Sequence, residues 1–304
     1  MGENLTSTRV VKAILKEHNV TLSRKFGQNF LVDDNILKKI VVGVNPQPED
    51  NVLEIGPGIG TLTLPLAEMS RSVVAVEIDG RLIPVLEDTL RGLENITILP
   101  GDILKVNIHD IYAQYFSPGP MKIAANLPYY LTTPFLFKIL QAGLPLASIT
   151  LLVQREAARR MVAVPGTKDY GVLTLLIGYY CSASLLFQVP PSVFFPRPEV
   201  NSAVVSLKPL EKPAVMVPRE DLFFNLIRAA FQQRRKTLLN ALGVLRPGKK
   251  SEIQAVIAKA GFPPSVRGEE LTLEQFAILN ELFYNISVNN PDTTPLKKGK
   301  GRDK

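Results

Sequence analysis

Several chemically useful residue types are scarce in this chain. Its 304 residues include one cysteine, Cys181, and two histidines, His18 and His109. A single cysteine excludes an intramolecular disulfide and a cysteine cluster for a metal ion, and its apolar neighbours indicate a buried packing residue. With so few imidazoles, a histidine-based metal site is not expected either. The sequence therefore predicts that no metal is bound.

Long apolar runs are missing as well. A membrane span needs about 18 or more uncharged apolar residues. The closest run, residues 173–189, is interrupted by glycine, tyrosine, serine and glutamine. Residues 1–20 carry both acidic and basic side chains and lack the apolar centre of a signal peptide. We therefore expect a soluble, cytoplasmic protein with no membrane partner.

The length and charge of the chain limit the number of domains and the kind of partner it can have. Hydrophobic residues make up 46% of the 304 residues, which is ample for a core, and the length favours two domains over one. The formal net charge of +7 and the pI near 9.4 favour an anionic partner. That signal is weak, because charge bears on association more than on fold.

The order of apolar segments predicts an α/β protein with a second, helical domain. Short apolar strands alternate with helical patterns over residues 1–208, which indicates a parallel sheet with an N-terminal helix and a lid. Residues 209–218 predict a proline-containing linker. Helical patterns alone fill residues 219–288, where we expect one helix over 221–242 and helices opened by capping boxes at Ser251 and Thr272. Residues 289–304 predict a disordered basic tail.

A glycine-rich turn follows the strand predicted at residues 51–55. Gly56, Gly58 and Gly60 alternate with other residues, and a helix is expected from Thr63. Glycines let a ligand approach the backbone closely, and the first turn of a helix offers free N–H groups. This arrangement is typical of nucleotide-binding proteins.

Acidic residues end the next two predicted strands. Glu77 lies about 20 residues past the glycines, where an acidic side chain binds ribose hydroxyls. Asp102 follows the third strand and can accept a hydrogen bond from an adenine amine. Because Thr61 follows Gly60 directly, the G-x-G-x-x-G spacing of dinucleotide sites is absent. These features favour S-adenosylmethionine over a dinucleotide or a vestigial site.

A loop without charges or nucleophiles follows the buried strand expected at residues 121–125. It begins Asn126-Leu127-Pro128-Tyr129. The Asn126 side-chain carbonyl and the backbone carbonyl of Leu127 or Pro128 can accept the two hydrogens of an adenine amine, and Tyr129 can stack on its ring. Such contacts favour a pyramidal nitrogen whose lone pair faces an electrophile. The alternative is a strand-ending turn with no catalytic role.

Two aromatic segments have both a functional and a structural interpretation. Residues 25–31 predict either a lid that places Asn29 and the Leu31 backbone over a ligand, or a hydrophobic loop. Phe194 lies in a stretch with four prolines, residues 190–200, which is expected to lack regular structure. We interpret Phe194 as the second plate of a clamp whose first plate is Tyr129. The alternative is a core phenylalanine.

Basic residues on predicted helices are candidates for RNA contact. Arg155 lies in the helix expected at residues 154–161. Arg234, Arg235 and Lys236 lie in the second half of the long helix expected in the second domain. Each set contacts RNA phosphates in one interpretation and forms a solvated helix face in the other.

The motifs occur in a fixed order along the chain. They are Phe26 to Leu31, Glu54 to Gly60, Glu77 to Asp79, Gly101-Asp102, Asn126 to Tyr129 and Phe194 to Val200. Together they resemble the small-subunit ribosomal RNA adenine dimethyltransferases of the KsgA type, from about residue 21 to residue 283. The resemblance implies a Rossmann-like methyltransferase domain followed by a helical RNA-binding domain.

The resemblance also implies an activity. That activity is two methylations on each of two adjacent adenosines in the 3′-terminal hairpin loop of 16S rRNA, within a small-subunit assembly intermediate. The implied contacts to S-adenosylmethionine come from Asn29, Leu31, Gly56, Glu77, Asp102 and Asn126, and Gly58 belongs to the same loop. A monomer is expected.

Two alternatives stay open at this point. One is the erythromycin-resistance type, which dimethylates an adenine of large-subunit RNA. The residues 132–134 and the long segment 194–200 favour the small-subunit type. The other is a non-catalytic assembly factor on the same fold, against which the intact Asn126 and Tyr129 argue.

Overall fold

A computed structural model describes residues 4–22, 27–128, 130–245 and 248–289. The chain forms two compact units, one from Met1–Arg159 with Ser182–Pro209 and the other from Arg160–Cys181 with Leu210–Lys304. The expected domain of residues 1–208 differs from this division, because residues 160–181 belong to the helical unit. Within the described part of the chain, no helix is both long enough and apolar enough to cross a membrane.

The first unit is built on a seven-stranded sheet with the order β4-β3-β2-β5-β6-β9-β7. The strands of this sheet are β2 (Asn51–Ile55), β3 (Ser72–Glu77), β4 (Ile96–Pro100), β5 (Met121–Asn126), β6 (Leu146–Gln154), β7 (Cys181–Val189) and β9 (Ser202–Pro209). Strands β2 to β6 pair in parallel, and β9 pairs antiparallel with β6. The strand order reverses between β2 and β5, and open α/β sheets bind ligands at the carboxyl ends of strands at such a point.

Seven helices accompany these strands in chain order. They are α1 (Thr8–Glu17), α2 (Asp34–Val44), α3 (Thr63–Met69), α4 (Ile83–Thr89), α5 (Ile108–Tyr115), α6 (Thr132–Leu140) and α7 (Arg155–Met161). Helix α1 buries Val11, Ile14 and Leu15. Their spacing places them on one face of the helix, and the N-terminal helix expected from the sequence is confirmed.

A two-stranded ribbon lies apart from the large sheet. Strands β1 (Phe30–Leu31) and β8 (Phe194–Phe195) pair antiparallel, with Phe30 opposite Phe195 and Leu31 opposite Phe194. A 3₁₀ turn, Pro191–Val193, precedes β8. The prediction that this proline-rich stretch lacks regular structure was therefore wrong. Its two phenylalanines retain the backbone N–H groups that the prolines lack, and they can pair.

The described residues of the second unit form five α-helices. They are α8 (Val172–Tyr180), α9 (Glu220–Gln232), α10 (Leu238–Leu242), α11 (Lys250–Lys259) and α12 (Leu273–Asn289). Aromatic side chains pack at its centre, with the Tyr179, Phe223 and Phe224 rings 5.2–5.3 Å apart between centroids. Such spacing is favourable for aromatic pairs.

The single helix expected over residues 221–242 is instead two helices. Helix α9 ends at Gln232, and α10 begins at Leu238. The Leu238 N–H donates to the Val266 carbonyl at 2.7 Å. The basic triplet therefore lies in the turn between two helices, and a contact with a distant segment fixes the point where α10 begins.

The two capping predictions had opposite outcomes. At Thr272 the backbone N–H donates to Gln275 Oε1 at 2.9 Å, and the Gln275 N–H donates to Thr272 Oγ1 at 3.3 Å. That capping box is confirmed. Helix α11 begins at Lys250, so Ser251 lies inside the helix and the second capping prediction was wrong.

Candidate active site

One cavity opens at the carboxyl ends of β2, β3 and β5. Its lining brings together candidates from six separate motifs: Asn29, Leu31, Gly56, Gly58, Glu77, Asp102, Asn126, Pro128 and Phe194. Residues up to 165 positions apart in the sequence, Asn29 and Phe194, meet there. The sequence prediction of one ligand site at this sheet edge is therefore consistent with the geometry. Tyr129, together with Lys25 and Phe26 of the expected lid, lies outside the described residues.

The glycine turn presents open backbone to the cavity. Gly56 has φ +68° and Gly58 has φ +63°, a region that other residues rarely adopt. A Cβ added to Gly56 would meet no atom within 4 Å, so the space beside this residue is free. The Gly56 N–H donates to the Val76 carbonyl at 2.9 Å, which ties the turn to the end of β3. A ligand can therefore lie directly against this backbone.

Glu77 joins the glycine turn to the end of β3. Its carboxylate accepts hydrogen bonds from the Gly58 N–H at 3.2 Å and the Asp79 N–H at 2.8 Å. The side chain is 4% exposed, and burial raises the pKa of its carboxyl despite these bonds. Each carboxylate oxygen has a further lone pair, so the pair can accept from two neighbouring hydroxyl groups.

Asn126 is oriented by a bond to a distant segment. Its Nδ2 donates to the Asn29 backbone carbonyl at 3.0 Å, and Asn29 Nδ2 donates to the Gly27 carbonyl at 3.0 Å. Within the described residues, no donor is bonded to Asn126 Oδ1. The amide nitrogen thus anchors the side chain, and the amide oxygen stays available as an acceptor in the cavity lining.

The loop after β4 carries Asp102. Asp102 Oδ1 accepts from the Leu104 N–H at 3.0 Å. Lys138 on α6 holds the same loop, because its Nζ donates to the Leu104 carbonyl at 2.9 Å and to the Val106 carbonyl. Sequence reasoning missed Lys138. Nothing in its local pattern distinguishes it from an ordinary lysine on a helix.

Phe194 and Pro128 both line the cavity. Phe194 is 5% exposed and belongs to a core cluster with Leu31 and Val193. Its role as a stacking plate stays a prediction. The Pro128 carbonyl already accepts from the Leu131 N–H at 3.0 Å, whereas no described N–H donates to the Leu127 carbonyl. Of these two backbone acceptors, the Leu127 carbonyl is therefore the one left free.

Two further buried acidic residues, one in β2 and one just after β3, escaped notice as individual groups. Glu54 is the fourth of the five residues of β2 and is 1% exposed, and burial, helped by the charge of Glu77, raises its pKa to about 8. Asp79 is 3% exposed, accepts from Gln28 Nε2 at 2.7 Å and pairs with Arg81 at 2.7 Å. An acid inside an apolar strand was the available signal for Glu54.

The RNA-contact candidates do not lie in this cavity. Arg155 is exposed at the start of α7, in the first unit. Arg234 of the second unit donates to the Lys168 and Tyr170 carbonyls, both at 2.9 Å, and lies 3.4 Å from Glu269. Arg235 and Lys236 are exposed. Arg246, which belongs to a further basic stretch, and residues 290–304 of the expected tail lie outside the described residues.

The described residues contain no group of three His, Cys, Asp or Glu side chains placed to hold a metal ion.

The sheet order, the glycine turn and the acid at the end of β3 define the class: a Rossmann-like, S-adenosylmethionine-dependent methyltransferase. Residues 6–280 match the family described as ribosomal RNA adenine dimethylase, and the chain belongs to that family. The fold class, the cofactor and the resemblance stated from the sequence are thereby confirmed.

Named relatives narrow the comparison. The chain is 46% identical to "Ribosomal RNA small subunit methyltransferase A" of Alkaliphilus metalliredigens over 92% of this chain and 98% of the relative. It is 47% identical to the protein of the same name from Streptococcus sanguinis, over 89% of this chain and 94% of the relative.

Two solved structures share the fold. A dimethyladenosine transferase from Plasmodium falciparum is 26% identical with a TM-score of 0.71, covering 85% of this chain and 98% of that one. The 23S rRNA methyltransferase ErmE is 27% identical with a TM-score of 0.60, covering 84% of this chain and 99% of that one.

Proposed function

We propose that this enzyme transfers methyl groups from S-adenosylmethionine to N6 of two adjacent adenosines in the 3′-terminal hairpin loop of 16S rRNA. The relatives named for small-subunit methylation, 46% and 47% identical, support this choice of RNA. We further propose a small-subunit assembly intermediate as the substrate, a monomeric enzyme and work in the cytoplasm, where ribosomal subunits of bacterial relatives are assembled.

The orientation of Asn126 carries the proposal. Its nitrogen is engaged by Asn29, so its oxygen is the atom presented as an acceptor. An adenine amine has two hydrogens, which Asn126 Oδ1 and the Leu127 carbonyl can accept together. Both acceptors favour a pyramidal nitrogen, in which the lone pair is withdrawn from the ring. Such acceptors stabilise the transition state more than the planar ground state.

The residues around the glycine turn fit the cofactor. S-adenosylmethionine supplies the electrophilic methyl group. The free space beside Gly56 lets the ligand lie against the backbone, and the Glu77 carboxylate accepts from the ribose hydroxyls. Asp102 accepts from the adenine amine of the cofactor, and the segment Asn29–Leu31 covers it. Gly58 contributes its position in the turn.

The target base must be held by other residues once it leaves its stack. Extruding a base costs a few kcal/mol, and the cost is lowest when the base lies in a loop. Tyr129 and Phe194 are proposed to stack on the extruded ring. Arg155, Arg235 and Lys236 are proposed to contact phosphates, and Arg234 contributes by bracing the turn that carries its two neighbours.

Mapping the modified bases tests the proposal. The chain is expressed in a bacterial strain that lacks the corresponding modification, and its ribosomal RNA is analysed by mass spectrometry. We expect two adjacent N6-dimethyladenosines in the 16S hairpin, absent with Asn126→Ala. Modification of large-subunit RNA instead would identify an enzyme of the erythromycin-resistance type. Subunit binding without any methylation would identify an assembly factor.

A further inference from the structure

Helix α1 carries three basic residues on one side, which we call the basic stripe. The stability of the helix does not explain why they are there. Arg9, Lys12 and Lys16 are exposed and occur at i, i+3 and i+7, which places them on one side of the helix. The opposite face is buried. Among the described residues, none of the three has a carboxylate partner.

Local helix energetics disfavour this arrangement. Like charges at i and i+3 or i+4, such as Lys12 and Lys16, destabilise a helix. Arg9 stands in the first turn, close to the positive end of the helix dipole, and that turn contains no acidic residue. Only Lys16, in the last turn, is favoured by the dipole. Of the three residues, only Lys16 is well placed within the helix, so helix stability does not account for the stripe as a whole.

The stripe connects to the candidate active site through the β1–β8 ribbon. Lys12 Nζ lies 5.0 Å from the centre of the Phe195 ring, and Phe195 pairs with Phe30. The core cluster that α1 packs against includes Phe30 and Leu82, and both also line the cavity. The stripe thus lies on a helix whose buried face packs against residues of the cavity lining.

We propose that this stripe binds the phosphates of the RNA strand next to the target adenosine. The inference rests on the proposed function, because it takes small-subunit RNA as the substrate. Seven residues of helix span about 10 Å, which matches roughly two to three phosphates of one strand. A polyanion with that spacing complements three cations that have no carboxylate partner among the described residues, and the binding energy helps to hold the target base out of its stack.

Binding to small subunits that lack the modification tests the inference. The variant Arg9→Gln, Lys12→Gln, Lys16→Gln should bind roughly tenfold to a hundredfold more weakly near 0.1 M salt, and its log–log salt slope should shrink by about 2. Its affinity for S-adenosylmethionine, measured by calorimetry, should equal that of the wild type.

A matched control removes the same charge elsewhere. Lys39→Gln, Arg71→Gln, Lys208→Gln changes three exposed residues of the same unit. Arg71 directly precedes β3, and Lys208 lies near the end of the antiparallel β9, so both lie at the sheet edge opposite the cavity. Equal losses in the two triple variants, or an unchanged salt slope in the stripe variant, would overturn the inference.

Two further measurements separate the possible failures. The variant Arg9→Gln, Lys16→Gln keeps the contact of Lys12 with Phe195. The decrease in its salt slope should be about two thirds of the decrease seen in the triple variant. If the triple variant loses cofactor binding, the salt slope of this double variant tests the inference instead. Methyl incorporation by the wild type reports on the proposed function separately. Stripe-dependent binding without methylation would refute that function and leave the inference standing.

Discussion

Asn126 in the first unit and Arg234 in the second use their polar atoms in opposite ways. Asn126 Nδ2 donates to the Asn29 carbonyl, and no described donor is bonded to Asn126 Oδ1 in the cavity lining. Arg234 directs two guanidinium nitrogens to the Lys168 and Tyr170 carbonyls and lies beside Glu269. Both residues were candidates for function from the sequence.

The difference separates two kinds of polar residue. A residue suited to catalysis has one atom that fixes its position and another that is available to the substrate. A bracing residue has its donors directed to the protein itself. Variants of both kinds of residue test this distinction, and the strongest effect on function is expected at Asn126.

Removing the Asn126 amide should have the largest effect. In Asn126→Ala, we expect the methyl-transfer rate to fall by about 10²–10³-fold, the range found when one preorganised hydrogen-bonding group is removed from an active site. Affinity for RNA should change far less. Single-turnover transfer of labelled methyl groups to small subunits measures the rate.

A second asparagine provides the control for this variant. Asn95 Nδ2 donates to the Ala67 and Ser70 carbonyls at 2.8 and 3.0 Å, and Asn95 does not line the cavity. Asn95→Ala should lower stability while the folded protein transfers methyl groups at the wild-type rate. Similar rate losses in both variants would remove the distinction between them.

Glu77 should show the next largest effect, on cofactor affinity. A hydrogen bond to a charged group contributes about 1.5–3 kcal/mol. Glu77→Ala should therefore weaken S-adenosylmethionine binding roughly tenfold to over a hundredfold, measured by calorimetry. Glu54→Gln is the matched control, because burial raises the pKa of Glu54 to about 8 and so favours its neutral form at pH 7. Unchanged affinity in a folded Glu77→Ala protein would refute the ribose assignment.

The three basic residues of the turn after α9 should have two different roles. Arg235→Ala with Lys236→Ala should weaken small-subunit binding and reduce its salt slope by about 1–1.5, with unchanged stability. Arg234→Ala should instead lower the free energy of unfolding by about 1–2 kcal/mol, the low end for bonds to a charged group that is half exposed. Salt titrations and urea unfolding measure the two effects. A large slope change from Arg234→Ala alone would make it a direct RNA contact.

The variant with the smallest expected effect on function should still change the pH dependence of stability. Unfolded chains release the Glu54 proton near its ordinary pKa of 4.5, and the folded protein releases it near 8. The folded state holds the extra proton between these values, so the free energy of unfolding falls as pH rises through that window and then levels off. Glu77 contributes in the same direction. Urea unfolding at pH 5 and pH 8 should show a shallower decline for Glu54→Gln, and equal declines would contradict the assignment.

Sequence reasoning succeeded where local patterns decide the structure. Strand β2 begins and ends at the predicted residues, Asn51 and Ile55, because prolines precede it and a glycine turn follows it. The glycine turn, Glu77 and Asp102 follow strands of one parallel sheet, so their convergence could be predicted from chain order.

It failed where contacts between distant segments decide. The ribbon that includes Phe194 exists because residues 194–195 pair with residues 30–31. The break between α9 and α10 coincides with contacts to residues 168, 170 and 266. The orientation of the Asn126 amide depends on the Asn29 carbonyl, 97 positions earlier. No local pattern in the sequence carries these three features.

A structure of the enzyme with S-adenosylhomocysteine and an RNA hairpin containing the target adenosines tests the central claim most directly. We expect N6 of the extruded adenine to lie about 2.7–3.2 Å from Asn126 Oδ1, with the bond from Asn126 Nδ2 to the Asn29 carbonyl retained. An N6 atom held only by other groups, or an Asn126 amide turned so that its nitrogen faces the base, would contradict it.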